Sequence, residues 1–269
     1  MRYVPLLAFS ALSSVASAQS FSDGTFFDSQ WLSTKLIDTT PAADATWSGI
    51  RGSGGNPDDC RTIAHNWQIT PAGVSIAIAH LSKVTLWSPA AGPGIVGIQW
   101  SFDARCDSAP YVSAIGFGPL LRQNGRWFGV PGNAAIVGAG WTALGGIASA
   151  AAWVEVGGTD HPDFSPGAPS LEVGFFTSNG GSGTSLRNLA TGRVDNYSIR
   201  IRRTCAGDLN VDGQVDDADF VLFVAAYNIL DCSDPAMPAG CPSDFNQDGF
   251  VDDTDFVTFV AAYDNLLCP

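Results

Sequence analysis

The chain has 269 residues, 45% of them hydrophobic and 14% charged, with a formal net charge of −13. That balance argues against nucleic-acid binding, which needs a basic footprint, and no segment supplies the about 20 consecutive apolar residues of a membrane span. The imbalance is local: residues 205–269 hold thirteen Asp and no Lys, Arg, His or Glu, leaving thirteen acidic and thirteen basic residues upstream.

Met1-Arg2 precedes an apolar run, Val4 to Leu12, and then Ala16, Ser17 and Ala18. A basic start, a short apolar core and small residues before a cut predict a secretory signal peptide over 1–18, cleaved after Ala18. The mature protein is then secreted or held at the cell surface, with no transmembrane anchor. Export implies an oxidising compartment, so the six cysteines are read as bridges. Cys205 and Cys232 recur as Cys241 and Cys268 at an offset of 36, and Cys60 and Cys106 are left to pair with each other upstream.

Residues 19–203 form the larger domain, long enough for one sizeable core. Alternating segments between turn signals predict strands at 20–27, 31–37, 74–80, 84–88, 95–103, 111–117, 127–130, 134–137, 151–156, 170–176 and 195–202. Asn124-Gly125 is a hairpin signal. Many short strands at this spacing predict an all-β sandwich of jelly-roll type. The ending, Thr191 through Asp195, Asn196 and Tyr197 to Ile201, resembles the last strand of jelly-roll carbohydrate-binding modules and laminin-G-like sandwiches. That resemblance implies a structural calcium near Asp195 or a place for it at a sheet edge; a turn residue before an edge strand is the other reading.

Candidates for chemistry in this domain are few. Glu155 and Glu172 are its only glutamates, and a retaining glycosidase needs two carboxyls about 5–5.5 Å apart. Each also alternates with apolar residues, as on any half-exposed strand. His65, His80 and His161 are scattered, and Asp160-His161-Pro162-Asp163 reads as a polar turn. Of eight tryptophans, Trp100 and Trp153 sit in core-like alternation. Trp47, Trp127 and Trp141 lie near turns, where a sugar ring could stack.

The C-terminal domain, 204–269, carries a motif twice. Asp208, Asn210, Asp212, Asp216 and Asp219 stand at positions 1, 3, 5, 9 and 12 of a loop with Gly213 at position 6. Asp244, Asn246, Asp248, Asp252 and Asp255, with Gly249, repeat it 36 residues later. This is the ligand spacing of an EF-hand calcium loop, with the carbonyls of Gln214 and Phe250 at position 7. The reading is two Ca²⁺ per chain. No helical pattern enters either loop, and position 12 is Asp rather than Glu. A duplicated loop-then-helix of this kind resembles the type I dockerin, and the Cys-flanked Gly240-Cys241 and Leu266 to Cys268 resemble its GC-type. The resemblance implies docking to a cohesin-type receptor in polysaccharide degradation. Receptor-reading positions 10 and 11 are Asp217-Ala218 and Asp253-Thr254 rather than Ser-Thr, so a different receptor specificity is expected.

Within the repeat, Cys205–Cys268 with Cys232–Cys241 is predicted over Cys205–Cys232 with Cys241–Cys268. A cysteine at the far end of a helix is roughly 20 Å from its own loop, whereas a bridge needs Cα atoms within about 7 Å. If the two hands pack antiparallel, each helix end meets the entrance of the other loop. The stripe Phe220, Phe223, Val224, Tyr227 equals Phe256, Phe259, Val260, Tyr263, which suits an internal core. The other face of the first helix, Val221, Leu222, Ala225 and Ile229, is the candidate partner surface. The expected function is therefore an exported, calcium-dependent docking protein carrying a sandwich cargo. The alternatives for the sandwich are a carbohydrate-binding module, a glycoside hydrolase or lyase using Glu155 and Glu172, or a structural surface protein.

Overall fold

The computed structural model describes residues 20–41, 44–87, 95–165, 168–184, 186–203, 205–210, 212, 214–246 and 248–265. The expected signal peptide with its cut at Ala18, and Cys268, lie outside the described residues. Among those described, thirteen strands make two antiparallel sheets. The first runs β10 (Thr142–Ala148), β6 (Ile95–Ser108), β13 (Leu186–Arg203), β4 (Asp59–Ile69), β3 (Thr46–Ser53), with β1 (Ser20–Asp23) also on β13. The second runs β11 (Val154–Glu155), β8 (Arg126–Gly129), β7 (Ala114–Gln123), β12 (Leu171–Gly181), β5 (Val74–Trp87), β2 (Trp31–Asp38), with β9 (Asn133–Ile136) also on β7. From β4 to β7 successive strands alternate between the sheets, the winding of a jelly roll.

Several strands differ from the sequence reading. Segments 74–80 and 84–88 are one strand, β5, and 151–156 is a short helical turn followed by the two-residue β11. β3, β4 and β10 were not predicted at all. β4 has a physical reason: its inward positions are Arg61, Ile63, His65, Trp67 and Ile69, all buried. Two ionisable groups there hide the period-2 apolar signal. Asn124 and Gly125 join β7 to β8 with φ of 51° and 76°, the two positive values that a type I′ turn needs.

Aromatic rings fill much of the space between the sheets. Trp31 meets Tyr197 edge-on at 5.4 Å, and Phe175, Phe102 and Phe26 extend the cluster. Beside it runs a chain of buried polar groups. Arg61, 2% exposed, donates to the Gly49 carbonyl at 2.6 Å and to Ser33 Oγ at 3.0 Å. Because a guanidinium can only donate, Ser33 is free to pass its own proton to His80 Nδ1, 3.0 Å away. His80 Nε2 then faces Thr177 Oγ1 at 3.2 Å, Thr177 faces His65 Nε2 at 2.8 Å, and His65 Nδ1 faces Asn179 Oδ1 at 2.7 Å. Asn179 donates to the Ala114 carbonyl at 2.9 Å. One ordering of protons satisfies every group, with both histidines neutral. Burial holds Arg61 down to about 10, His65 down to about 4 and His80 well below its ordinary value, and the Arg61 cation presses His80 further the same way.

Cys60 and Cys106 are buried free thiols, which corrects the expected bridge. β13 lies between β4 and β6, and Cys106 already faces Gly192 across one ladder. Two strand spacings, about 9.5 Å, exceed the roughly 7 Å reach of a disulfide.

Beyond the sandwich, α1 (Asp217–Tyr227) and α2 (Asp253–Tyr263) share a separate core of Val215, Phe223, Ala226, Met237, Val251 and Phe259. Phe223 stacks on Phe259 at 5.0 Å. Leu230 accepts from Val251 N and Cys232 donates to the Gly249 carbonyl, so the end of α1 runs against the second loop. That brings Cys232 to Cys241, and the two form a disulfide with Cα atoms 5.4 Å apart. Cys205 is also disulfide-bonded.

Candidate functional sites

The sandwich presents a cleft on the outer side of the second sheet. Phe175 and Phe176 are adjacent on β12, so one ring must point inward and the other outward. Phe175 is core, while Phe176 lies half-buried in the cleft with Leu36, Ile37, Ala77, Pro131, Val154 and Val156 around it. The cleft encloses about 270 Å³. Its floor depends on Gly118: a Cβ there would come within 2.4 Å of the Phe176 ring and 2.5 Å of the Val130 carbonyl oxygen. The ring therefore lies where only glycine leaves room. Sequence reading missed Phe176, although two consecutive aromatics within a strand are the signal that could have found it.

Four residues along β7 from Gly118, about 13 Å at strand rise, the same face carries a polar row. Trp127 pairs with Arg122, and Arg122 pairs with Glu172. The Arg122 guanidinium lies 5.2 Å from the Trp127 ring centroid and makes a two-pronged ion pair with Glu172. Arg126 binds Glu155 through two contacts, at 2.7 and 2.6 Å, and also Asp160 at 2.5 Å. The Arg126 bonds hold the Glu155 carboxyl below its ordinary range. Of the other predicted platforms, Trp47 is half-buried against the sandwich core and Trp141 is half-buried before β10, neither lining the cleft.

The two glutamates are not a catalytic pair. β8 and β7 separate β11 from β12, which puts Glu155 and Glu172 three strand spacings apart, about 14 Å. Both glycosidase geometries need less, about 5–5.5 or 6.5–9.5 Å. His65 and His80 belong to the buried polar chain, and His161 Nδ1 faces the Trp153 carbonyl at 2.7 Å in an exposed loop.

Asp195 is 1% exposed on β13, a central strand rather than a sheet edge. Its carboxylate accepts from the backbone N–H groups of Asn56 and Asn196, and both Asn side chains donate to Asp103. Burial raises the Asp195 carboxyl, and Asp103 and Asp23 add repulsion.

In the C-terminal unit each loop folds onto its own acids. Asp212 N donates to Asp208 and Asn210, and Gln214 N donates to Asp212. Asp248 N and Phe250 N repeat this with Asp244, Asn246 and Asp248. Asp216 and Asp219 form a capping box on α1, as Asp252 and Asp255 do on α2. Asp219 and Asp255 are fully buried and accept only backbone N–H groups among the described residues. The donor set is carboxylates, amide oxygens and backbone carbonyls, the hard oxygens that suit Ca²⁺. No three carboxylates of one loop have oxygens within 4.8 Å of one another among the described residues. Cys232, Cys241 and Asp244 do come that close, but the two sulfurs are bonded to each other and leave no thiolate to ligate.

The helix faces differ from expectation. Phe223 and Ala226 are buried, whereas Phe220 and Val224 of the expected core stripe are exposed. Val221, Leu222 and Ala225 of the expected partner face are exposed, Val221 at 66%, but Ile229 packs against the helical core.

No protein-family model and no curated protein matches the chain. Solved structures that resemble it include a family 11 carbohydrate-binding module from Clostridium thermocellum in complex with a β-1,3-1,4-mixed-linked tetrasaccharide, at 12% identity, 68% coverage of this chain, 96% of that chain and a TM-score of 0.39. The CBM22-1 xylan-binding domain of Paenibacillus barcinonensis Xyn10C matches at 10% identity, covering 65% and 95%, with a TM-score of 0.31. A structure of infectious bursal disease virus, Gx strain, matches at 9%, covering 61% of this chain and 33% of that one, with a TM-score of 0.32.

Proposed function

We propose that the sandwich binds a polysaccharide along the outer face of its second sheet. The observation that carries this is the Phe176 cleft and, about 13 Å along the strands, the row of Trp127, Arg122 and Glu172. Two aromatic rings spaced along one face offer stacking surfaces for sugar rings, and the Arg–Glu pair between strands offers donors and acceptors for hydroxyls. Arg122, the cation on this face, is occupied by Glu172, so the face suits uncharged sugars. Titration calorimetry against neutral plant polysaccharides tests this: Phe176→Ala and Trp127→Ala should each weaken binding at least tenfold. Unchanged affinity in both, or no binding to any glycan by the parent chain, would defeat the reading.

A second reading concerns the C-terminal unit and rests on the duplicated loops. Asp208, Asn210, Asp212, Gln214, Asp216 and Asp219 would hold one Ca²⁺, and Asp244, Asn246, Asp248, Phe250, Asp252 and Asp255 a second. The ion would supply positive charge to loops that hold no basic residue. The exposed apolar residues Val221, Leu222 and Ala225, with Phe220 and Val224 beside them, would then face a cohesin-type receptor. Together the two readings describe an exported protein that binds glycan at one end and a receptor at the other. Leu222→Asp should abolish receptor capture while calcium binding persists; capture that survives it refutes the docking face.

A further inference from the structure

Tyr227 closes α1 and Tyr263 closes α2, at the same position of the two copies. The Tyr227 hydroxyl donates to Asp253 Oδ1 at 2.5 Å, and the Tyr263 hydroxyl donates to Asp217 Oδ1 at 2.6 Å. Each acceptor is the first residue of the opposite helix, directly after the N-cap. The N-cap and the residue three further on form the capping box, and these same two residues stand at positions 9 and 12 of the preceding loop. The end of each loop and the start of its helix are therefore one hydrogen-bonded piece. That piece is held by the last residue of the other helix.

We infer that the two tyrosine–aspartate bonds couple the loops, so that filling one with calcium raises the affinity of the other. The inference rests on the calcium reading above. A cation drawn to Asp216 and Asp219 fixes the first turn of α1 and with it Asp217. Asp217 then anchors the end of α2 through Tyr263. The start of α2, with Asp252 and Asp255, is tied in the same way to the end of α1 through Tyr227. Each loop thus orders the helix whose far end helps set the geometry of the other. Such coupling is reciprocal by linkage. Neither Asp217 nor Asp253 stands at a ligand position, so the tyrosines can be altered without touching either donor set.

Calcium titration of the full chain by calorimetry tests this with loop one disabled by Asp208→Ala and Asp212→Ala. In the tyrosine background, disabling loop one should weaken loop two by about fivefold or more, the low end of ordinary coupling. In a Tyr227→Phe, Tyr263→Phe background, the same change should shift loop two by less than about twofold. If the double tyrosine variant loses its helical circular dichroism, each single variant serves instead and should retain a diminished effect. A merely structural role for the tyrosines would weaken both loops while the loop-one effect persisted, and that result overturns the inference. So does a loop two indifferent to loop one in the parent chain. Absence of calcium binding in every protein tested would instead bring down the calcium reading, and the coupling with it.

Discussion

The buried polar chain makes the sandwich sensitive to mild acid, and the size of the effect follows from its geometry. His65 has both ring nitrogens committed, Nδ1 to Asn179 and Nε2 to Thr177, and burial holds its pKa at about 4. An unfolded chain returns it to about 6.5. Because the folded pKa is the lower one, the unfolded state takes up the proton first as pH falls. Stability is therefore full above about pH 6.5, declines below it, and levels off only beneath the folded value. One such histidine costs about 1.4 kcal/mol per pH unit, which over this interval comes to about 3 kcal/mol. His80 faces the Arg61 cation from β4, stacks on Phe175 from β12 at 4.7 Å, and adds a second decline that extends further into acid. Asp28, at the rim of Arg61, is the nearest compensating carboxylate in the chain of contacts. Carboxylates elsewhere titrate in the same range, so the difference between variants is the measurement. Guanidinium unfolding followed by tryptophan fluorescence, at pH 7.5, 6.0, 5.0 and 4.5 in calcium, should give His65→Gln a lower stability at pH 7.5. Its slope below pH 6.5 should be shallower than the parent's by about 1.4 kcal/mol per unit. Equal slopes in the two proteins would refute a neutral, proton-excluding His65.

Three further outcomes are expected. Gly118→Ala should lose glycan binding, because its Cβ has no room beside the Phe176 ring and the Val130 carbonyl; calorimetry that shows parent affinity would mean the ring is not the platform. Alkylation after denaturation without reductant should label Cys60 and Cys106 and spare Cys205, Cys232 and Cys241; peptide mapping that finds Cys60 linked to Cys106 would contradict the strand order. Chelation should remove one calorimetric unfolding transition and leave the sandwich's own, since the two cores share no residue; a single transition unchanged by chelator would count against calcium in the loops.

What the sequence disclosed of the sandwich depended on what its strands turn inward. β6 buries Ile98, Trp100, Phe102, Ala104 and Cys106 at alternate positions, and that alternation marks it. β4 buries Arg61 and His65, and its pattern reads as polar although every inward position is occupied by core. β3 and β10 each carry two glycines, which blur a strand signal without preventing pairing. The cleft was hidden for a related reason. Outward aromatics look like core until the adjacent residue of the strand shows that the inward side is already filled, as Phe175 does for Phe176. The proposed glutamate pair failed on topology alone, because nothing in the spacing of Glu155 and Glu172 shows that β7 and β8 come between them.

The two helices of the C-terminal unit were easier to read because their start signals are local. Ligand spacing and capping lie within twelve consecutive residues, the pattern recurs 36 residues later, and the carboxylates at positions 9 and 12 form the cap of the helix that follows. Burial on the helices is not local, and there the reading erred. Two short helices in mutual contact bury a narrow stripe, here Phe223 with Ala226 and Phe259, rather than the wider face that a helix on a large core would bury. Phe220 and Phe256 are left at the margin, each about 5.9 Å from a phenylalanine of the other helix and still open to solvent. A core this small, set among thirteen aspartates, leaves much of the unit's cohesion to its disulfides, the Tyr–Asp ties and whatever cation the loops hold. Charge neutralisation and apolar cover would then act at different places on the same fold, the loops and the outer helix faces. That separation would let a receptor contact depend on calcium without the ion touching the interface.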